Sequence, residues 1–161
     1  MSEMSDDTEQ GQLAAQQLCV GKYIVAFEYA AGFVVRLEAH ERSPGPRHVL
    51  MYWSAEVRAP STPAPIEVRG ALRVDPFVPP VAFQLAIAIG AKVDAVEIAV
   101  DGTLTLKTSD SDVFEVRGVD ENVEYSWSLL PDAATEDWSI VCDNNGHIYV
   151  RPWKASEADI R

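Results

Sequence analysis

The chain has 161 residues, 47% hydrophobic and 24% charged, with 13 Lys+Arg against 25 Asp+Glu and a formal net charge of −12. That length and apolar content suffice for one domain with its own core and exclude a disordered acidic tail. A surface of this sign repels phosphate, so nucleic acid and anionic membranes are poor partners.

Residues 1–7 are polar and acidic and lack the basic and apolar runs of a targeting peptide, so residues 1–8 are expected to be an unstructured N-terminus. The longest apolar stretch, residues 78–89, is interrupted by Pro79, Pro80 and Gln84 and ends at Gly90, which predicts no membrane span. Two cysteines, Cys19 and Cys142, sit among apolar neighbours and are expected to be buried free thiols. Together these features point to a soluble cytoplasmic protein.

Residues 9–18, rich in Gln, Leu and Ala, predict a short helix with Thr8 as its N-cap. Residues 22–29 and 33–38 read as strands joined by the tight turn Ala30-Ala31-Gly32. Proline-marked loops at 43–46 and 60–65 bracket a further strand at 48–57. Residues 66–69 suggest an edge strand, and Val74-Asp75-Pro76 a turn. Pro79-Pro80 at the start and Gly90 at the end mark the apolar stretch between them as a short buried helix, although such a run also suits a buried strand.

The strongest pattern follows. Residues 96–100 and 103–107 alternate around an Asp101-Gly102 hairpin turn, and strands at 112–116, 125–129, 138–142 and 147–150 follow, the last pair joined by Asn144-Asn145-Gly146. This spacing predicts an antiparallel meander whose buried face carries Leu104/Leu106, Phe114/Val116, Tyr125/Trp127/Leu129 and Ile148/Val150. Trp127 and Trp138 are expected in the core, whereas Trp153, after Pro152, is a candidate exposed aromatic. The fold class is therefore α+β: a mainly antiparallel twisted sheet with one or two short helices, one domain over 9–153, and a polar tail at 154–161.

No catalytic motif is present. His40, His48 and His147 lack metal-ligand spacing with each other or with the cysteines, and the chain has no CxxC, GxGxxG, GxxxxGK or GxSxG arrangement. Cys142 and His147 could suggest a nucleophile and base, but a core-strand thiol beside Asp143 would be raised rather than activated. Asp110-Ser111-Asp112 and Asp143-Asn144-Asn145-Gly146 lack the rest of a calcium loop. No catalytic residue, metal or cofactor is expected, and a pocket beneath the proline-rich loops has no motif behind it.

Charge distribution carries more information. Residues 92–137 hold twelve acids against three bases, a net −9 of the total −12. The solvated-face explanation is that these acids keep the chain soluble. The functional one is a negative docking face for a basic protein, with Asp110, Asp112, Asp120, Glu121, Glu124 and Glu136 as the partner-binding candidates.

The segments Asp101-Gly102-x-Leu104-x-Leu106, Tyr125-Ser126-Trp127 and Ser139-Ile140-Val141-Cys142-Asp143-x-x-Gly146-x-Ile148-x-Val150 resemble a family of small, mostly actinobacterial domains of unknown function. There a D-G-x-L-x-L hairpin precedes an E-A-W-type strand and a final V-C-x-P-G-G-x-[IL]-x-V hairpin. Here Asn144-Asn145-Gly146 replaces P-G-G and Tyr125-Ser126 replaces E-A. Val20-Gly21 before a strand and Val74-Asp75-Pro76 fit the same layout. Such domains look like the acidic antidotes of bacterial polymorphic toxin systems. The resemblance thus implies a non-enzymatic, immunity-like protein that neutralises a basic toxin-like partner by steric and electrostatic docking. The alternative from another class is a self-associating β module, a homo-oligomer formed through sheet edges.

Overall fold

The computed structural model describes residues 2–39, 47–59, 80–131 and 138–152. Expectations for residues 43–46, 60–79, Glu136, Trp153 and the tail lie outside them, as does the side chain of Trp138.

Helix α1, Ser2–Cys19, opens the chain. Gly11, Ala15, Leu18 and Cys19 fall at helical spacing and form its buried stripe. The helix begins seven residues before the expected start, so Thr8 lies inside it rather than capping it, and the segment expected to be unstructured supplies its first turns. No proline or glycine occurs in residues 2–10, so a helix nucleated on the packed turns extends toward the N-terminus.

Strands β1 (Tyr23–Tyr29) and β2 (Phe33–Glu38) form the expected hairpin, followed by β3 (His48–Trp53). The strand expected over 48–57 breaks here. The amides of Ser54 and Ala55 both donate to the Ser126 carbonyl, at 3.0 and 2.9 Å, and the chain leaves for β4 (Val57–Arg58) in a second sheet. Helix α2, Pro80–Ala88, settles the helix-or-strand ambiguity in favour of the helix, with Ala82, Leu85 and Ala88 buried. Then come β5 (Val93–Ile98), β6 (Leu104–Thr108), β7 (Val113–Val116), β8 (Tyr125–Pro131), β9 (Trp138–Asp143) and β10 (Ile148–Pro152).

The strands are antiparallel, as expected, but they divide between two sheets of order β1-β2-β3-β8-β9-β10 and β4-β7-β6-β5. The predicted meander is therefore cut between β7 and β8. One core joins the two sheets: Val35, Met51, Trp53, Trp127, Leu129 and Ile140 from the larger, and Val96, Leu104, Leu106, Phe114 and Val116 from the smaller. Trp53 and Phe114 meet across the interface with ring centroids 5.7 Å apart. Each such side chain withdrawn from water contributes roughly 1.5–3 kcal/mol.

The seam between β5 and β10, terminal strands of the two sheets, carries α1. The Gln12 side chain acts there as a substitute peptide unit. Its Nε2 donates to the Val96 carbonyl at 2.8 Å, and its Oε1 accepts from the Ile98 amide at 2.6 Å. One glutamine thus serves the outer edge of β5 at Val96 and Ile98, and the backbone of Gly21 and Lys22 serves it at Val93.

Of the predicted buried face, Leu104, Leu106, Phe114, Val116, Trp127, Leu129 and Ile148 are buried, and Val150 is half-buried. Tyr125 is instead 42% exposed. The register between β8 and β9 slips between Tyr125 and Trp127, and this bulge breaks the two-residue alternation.

Candidate functional site

Three hairpin turns share one construction. Ala99 pairs with Thr103, Thr108 with Asp112 and Asp143 with His147, each through an amide donating to a carbonyl at 2.9–3.0 Å around a three-residue loop. The third loop residue has positive φ in each: Gly102 at 85°, Ser111 at 69° and Gly146 at 85°. This is the three-residue hairpin loop with a left-handed last position. The turn at Asp101-Gly102 is accordingly one residue longer than a two-residue Asp-Gly turn.

Two of these turns, 99–103 and 143–147, meet at one end of the molecule with the 117–124 connection between β7 and β8. They meet through glycines. A Cβ on Gly102 would lie 2.6 Å from the Gly146 carbonyl oxygen, and a Cβ on Gly118 would strike the Asp101 carbonyl. Around this contact, Trp127 Nε1 donates to the Gly102 carbonyl at 2.8 Å, and the single Ser126 O–H is shared between the carbonyls of Gly118 and Asp143, at 2.5 and 3.1 Å from Oγ. The Asp120 amide donates to the Asn144 carbonyl at 3.0 Å. Three surface loops from two sheets are thereby held as one unit.

Cys142 lies beneath it. Burial, reinforced by the charges of Asp143 and Asp101, pushes its thiol up to about 12, and Sγ lies 3.4 Å from the Asp143 carbonyl. Cys19 is likewise buried and raised to about 12 by desolvation. Both are free thiols, as expected. His147 Nδ1 sits 3.4 Å from Asp143 Oδ2, so the imidazole is engaged by the carboxylate.

The acids at this pole are Asp101, Asp120, Glu121, Glu124 and Asp143. Backbone amides hold three of them in place. Asp101 accepts from the Thr103 amide at 3.0 Å, which holds its carboxyl below the usual range. Asp120 accepts from the amides of Asn122 at 3.0 Å and Glu56 at 3.1 Å, and these bonds lower it similarly. For Asp143, partial burial acts upward, but the amides of His147 and Asn145, the His147 charge and the Tyr149 hydroxyl outweigh it and leave it low. Glu121 and Glu124 are exposed. The nearby Arg117 is occupied by Glu56 at 3.1 Å.

The six sequence-predicted residues do not share one face. Asp110 is exposed on the 108–112 turn at the opposite end of β6, about 15 Å from the pole at strand rise. Asp112, beside it, is buried and internally used: it accepts from the amide nitrogen of Gln84 and from Thr108 Oγ1. Asp112 therefore serves the packing of its own turn against α2. Asp120 is also buried, at 8% exposure, and fixes its loop. Only Asp120, Glu121 and Glu124 are brought together, and Glu136 lies outside the described residues.

Part of the remaining acidity of 92–137 is paired. On the smaller sheet, Glu97 pairs with Lys107 at 3.5 Å and Glu115 with Arg58 at 3.5 Å. Asp101 and Asp143 join the pole without having been singled out for docking. The available signal was that Asp101 lies within, and Asp143 just before, a hairpin loop that ends in glycine.

Among the described residues, no group of three or more His, Cys, Asp or Glu is placed to hold a metal ion, and no helix is long and apolar enough to cross a membrane. No family model, curated protein or solved structure matches this chain.

Proposed function

We propose that this chain is a non-enzymatic, immunity-like binding protein of the cytoplasm, which neutralises a basic, toxin-like protein by docking its acidic pole onto it. The observation that carries the reading is the assembly of Asp101, Asp120, Glu121, Glu124 and Asp143 on three loops locked together by glycine contacts and backbone hydrogen bonds. A preformed, negatively charged surface speeds encounter with a positive partner and disfavours partners of like charge, while the body behind it blocks the occupied surface. Fixing the loops in advance also removes an ordering cost that flexible loops would incur on binding. The sequence resemblance to small acidic antidotes supports the same reading by association.

The test uses the full chain immobilised and exposed to extract of its source cells, at low and raised salt, beside the Glu121→Lys/Glu124→Lys variant. A basic protein should be retained at low salt, with affinity that falls steeply as salt rises and that the double variant weakens. Salt-insensitive retention, or equal retention by the variant, rejects electrostatic docking by this pole.

A further inference from the structure

The larger sheet ends on β1, and among the described residues the outer side of that strand takes no backbone partner in its second half. Near its start, the Ile24 amide donates to the Ala91 carbonyl at 3.0 Å and the Ile24 carbonyl accepts from Gly90 at 2.7 Å, so the chain leading into β5 covers this part. From Val25 to Tyr29, nothing among the described residues pairs with the outer side. Other terminal strands are managed: α1 packs on β10 and, through Gln12, on β5, while β4 is two residues long. An open edge that carries aromatic residues and one charge invites pairing with another chain.

The register specifies a second copy. At the hairpin end the Ala30 amide donates to the Gly32 carbonyl, so Ala30 faces β2. Alternation then turns the backbone groups of Glu28 and Ala26 toward β2 and those of Tyr29 and Phe27 outward. Phe27 therefore offers both an N–H and a C=O to the open edge, as a residue on a two-fold axis between antiparallel strands must. Centring the axis on Phe27 sets Tyr29 opposite Val25 of the second copy, and Glu28 opposite Ala26.

The charges fit that register. Ala26 is paired across β1–β2 with Arg36, and the lining of a surface concavity of ≈ 470 Å³ includes Ala26, Phe27, Glu28 and Arg36. Among the described residues, Glu28 and Arg36 are exposed and make no ion pair. In the two-fold arrangement, Glu28 of the second copy stands over Ala26 and reaches Arg36, and the reciprocal contact repeats. The same pairing covers Phe27 and Tyr29, the latter 48% exposed, with Ile89 on the adjoining 89–91 segment 47% exposed.

We infer that two copies of this chain pair antiparallel through β1 about a two-fold axis at Phe27, making one twelve-stranded sheet with reciprocal Glu28–Arg36 ion pairs. This inference does not depend on the acidic pole.

Sedimentation of the full chain over a concentration series tests it. The wild-type chain shows a monomer–dimer equilibrium. Glu28→Arg raises the dissociation constant about tenfold, since it replaces two attractions by two repulsions, and Glu28→Arg/Arg36→Glu restores it to near the wild-type value. Phe27→Cys, confirmed as folded by circular dichroism, oxidises to a disulfide-linked dimer, which reports the axis without relying on charge. A monomer at every concentration, a dimer unaffected by Glu28→Arg, or a folded Phe27→Cys chain that does not cross-link overturns the proposal.

Discussion

Gly102, Gly118 and Gly146 occupy places where the backbones of two sheets touch, so their value lies in the atoms they lack. Gly102→Ala sets a methyl 2.6 Å from one backbone oxygen and 2.8 Å from a backbone Cα, in a residue that also needs positive φ. A loss of about 2–4 kcal/mol in urea unfolding is expected, since backbone on both sides cannot yield cheaply. Ser111 is the opposite case, with φ of 69° in the same kind of turn but on an L residue. Ser111→Gly should raise stability by about 1 kcal/mol, read as a higher denaturation midpoint at unchanged slope. At this scale the turns themselves were legible: Asp101-Gly102 and Asn144-Asn145-Gly146 announce hairpins through residues that tolerate left-handed backbone. That the two turns touch each other was not, because local turn chemistry has no term for the separation between residues 102 and 146.

Among the elements, α1 shows how a single polar side chain joins a helix to a sheet. Gln12→Ala leaves the Val96 carbonyl and the Ile98 amide without their partner, which should cost about 1–3 kcal/mol and speed hydrogen exchange of the Ile98 amide well before that of core strands. Comparable exchange in the variant and the wild-type chain would show that α1 does not hold this edge. Most of the strands were legible from their alternation, the C-terminal half of α1 from its Gln, Leu and Ala content, and α2 from the proline and glycine that frame it, though its apolar run suited a strand as well. The division of the strands into two sheets was hidden, because strands of both sheets alternate with the same period. Tyr125 shows a second limit. Its alternation with Trp127 is correct in sequence but broken in space by a bulge, and the hydroxyl of Ser126, between them, serves carbonyls of two other loops.

For the whole molecule, four of the twelve acids of 92–137 meet Asp143 at one pole, while Asp110 lies at the far end of β6 and Glu97 and Glu115 are paired on the smaller sheet. The sequence located the excess of acid within residues 92–137, but periodicity could not separate Asp112, spent on Gln84 and Thr108, from the exposed Glu121 and Glu124. Nor could it bring Asp143 beside Asp101. The pole also couples charge to stability. Asp101, Asp120 and Asp143 are held below their unfolded values, so each contributes stability that is full above about pH 4 and is lost as pH falls through the lower folded value. Stability should therefore decline on acidification below about pH 4, and Asp120→Asn should make that decline shallower in urea titrations across this range. An unchanged slope would mean that the loop amides do not favour the ionised carboxylate.

The most direct test is the ionic-strength dependence of binding to the retained basic protein, measured for the wild-type chain, Glu121→Lys/Glu124→Lys and Asp110→Lys. Docking through the pole predicts association that slows about tenfold from low to physiological salt, a double variant that loses most of this dependence, and an Asp110→Lys chain that behaves as wild type. Equal weakening by Asp110→Lys, at the far end of β6, or association indifferent to salt in all three chains, would contradict it.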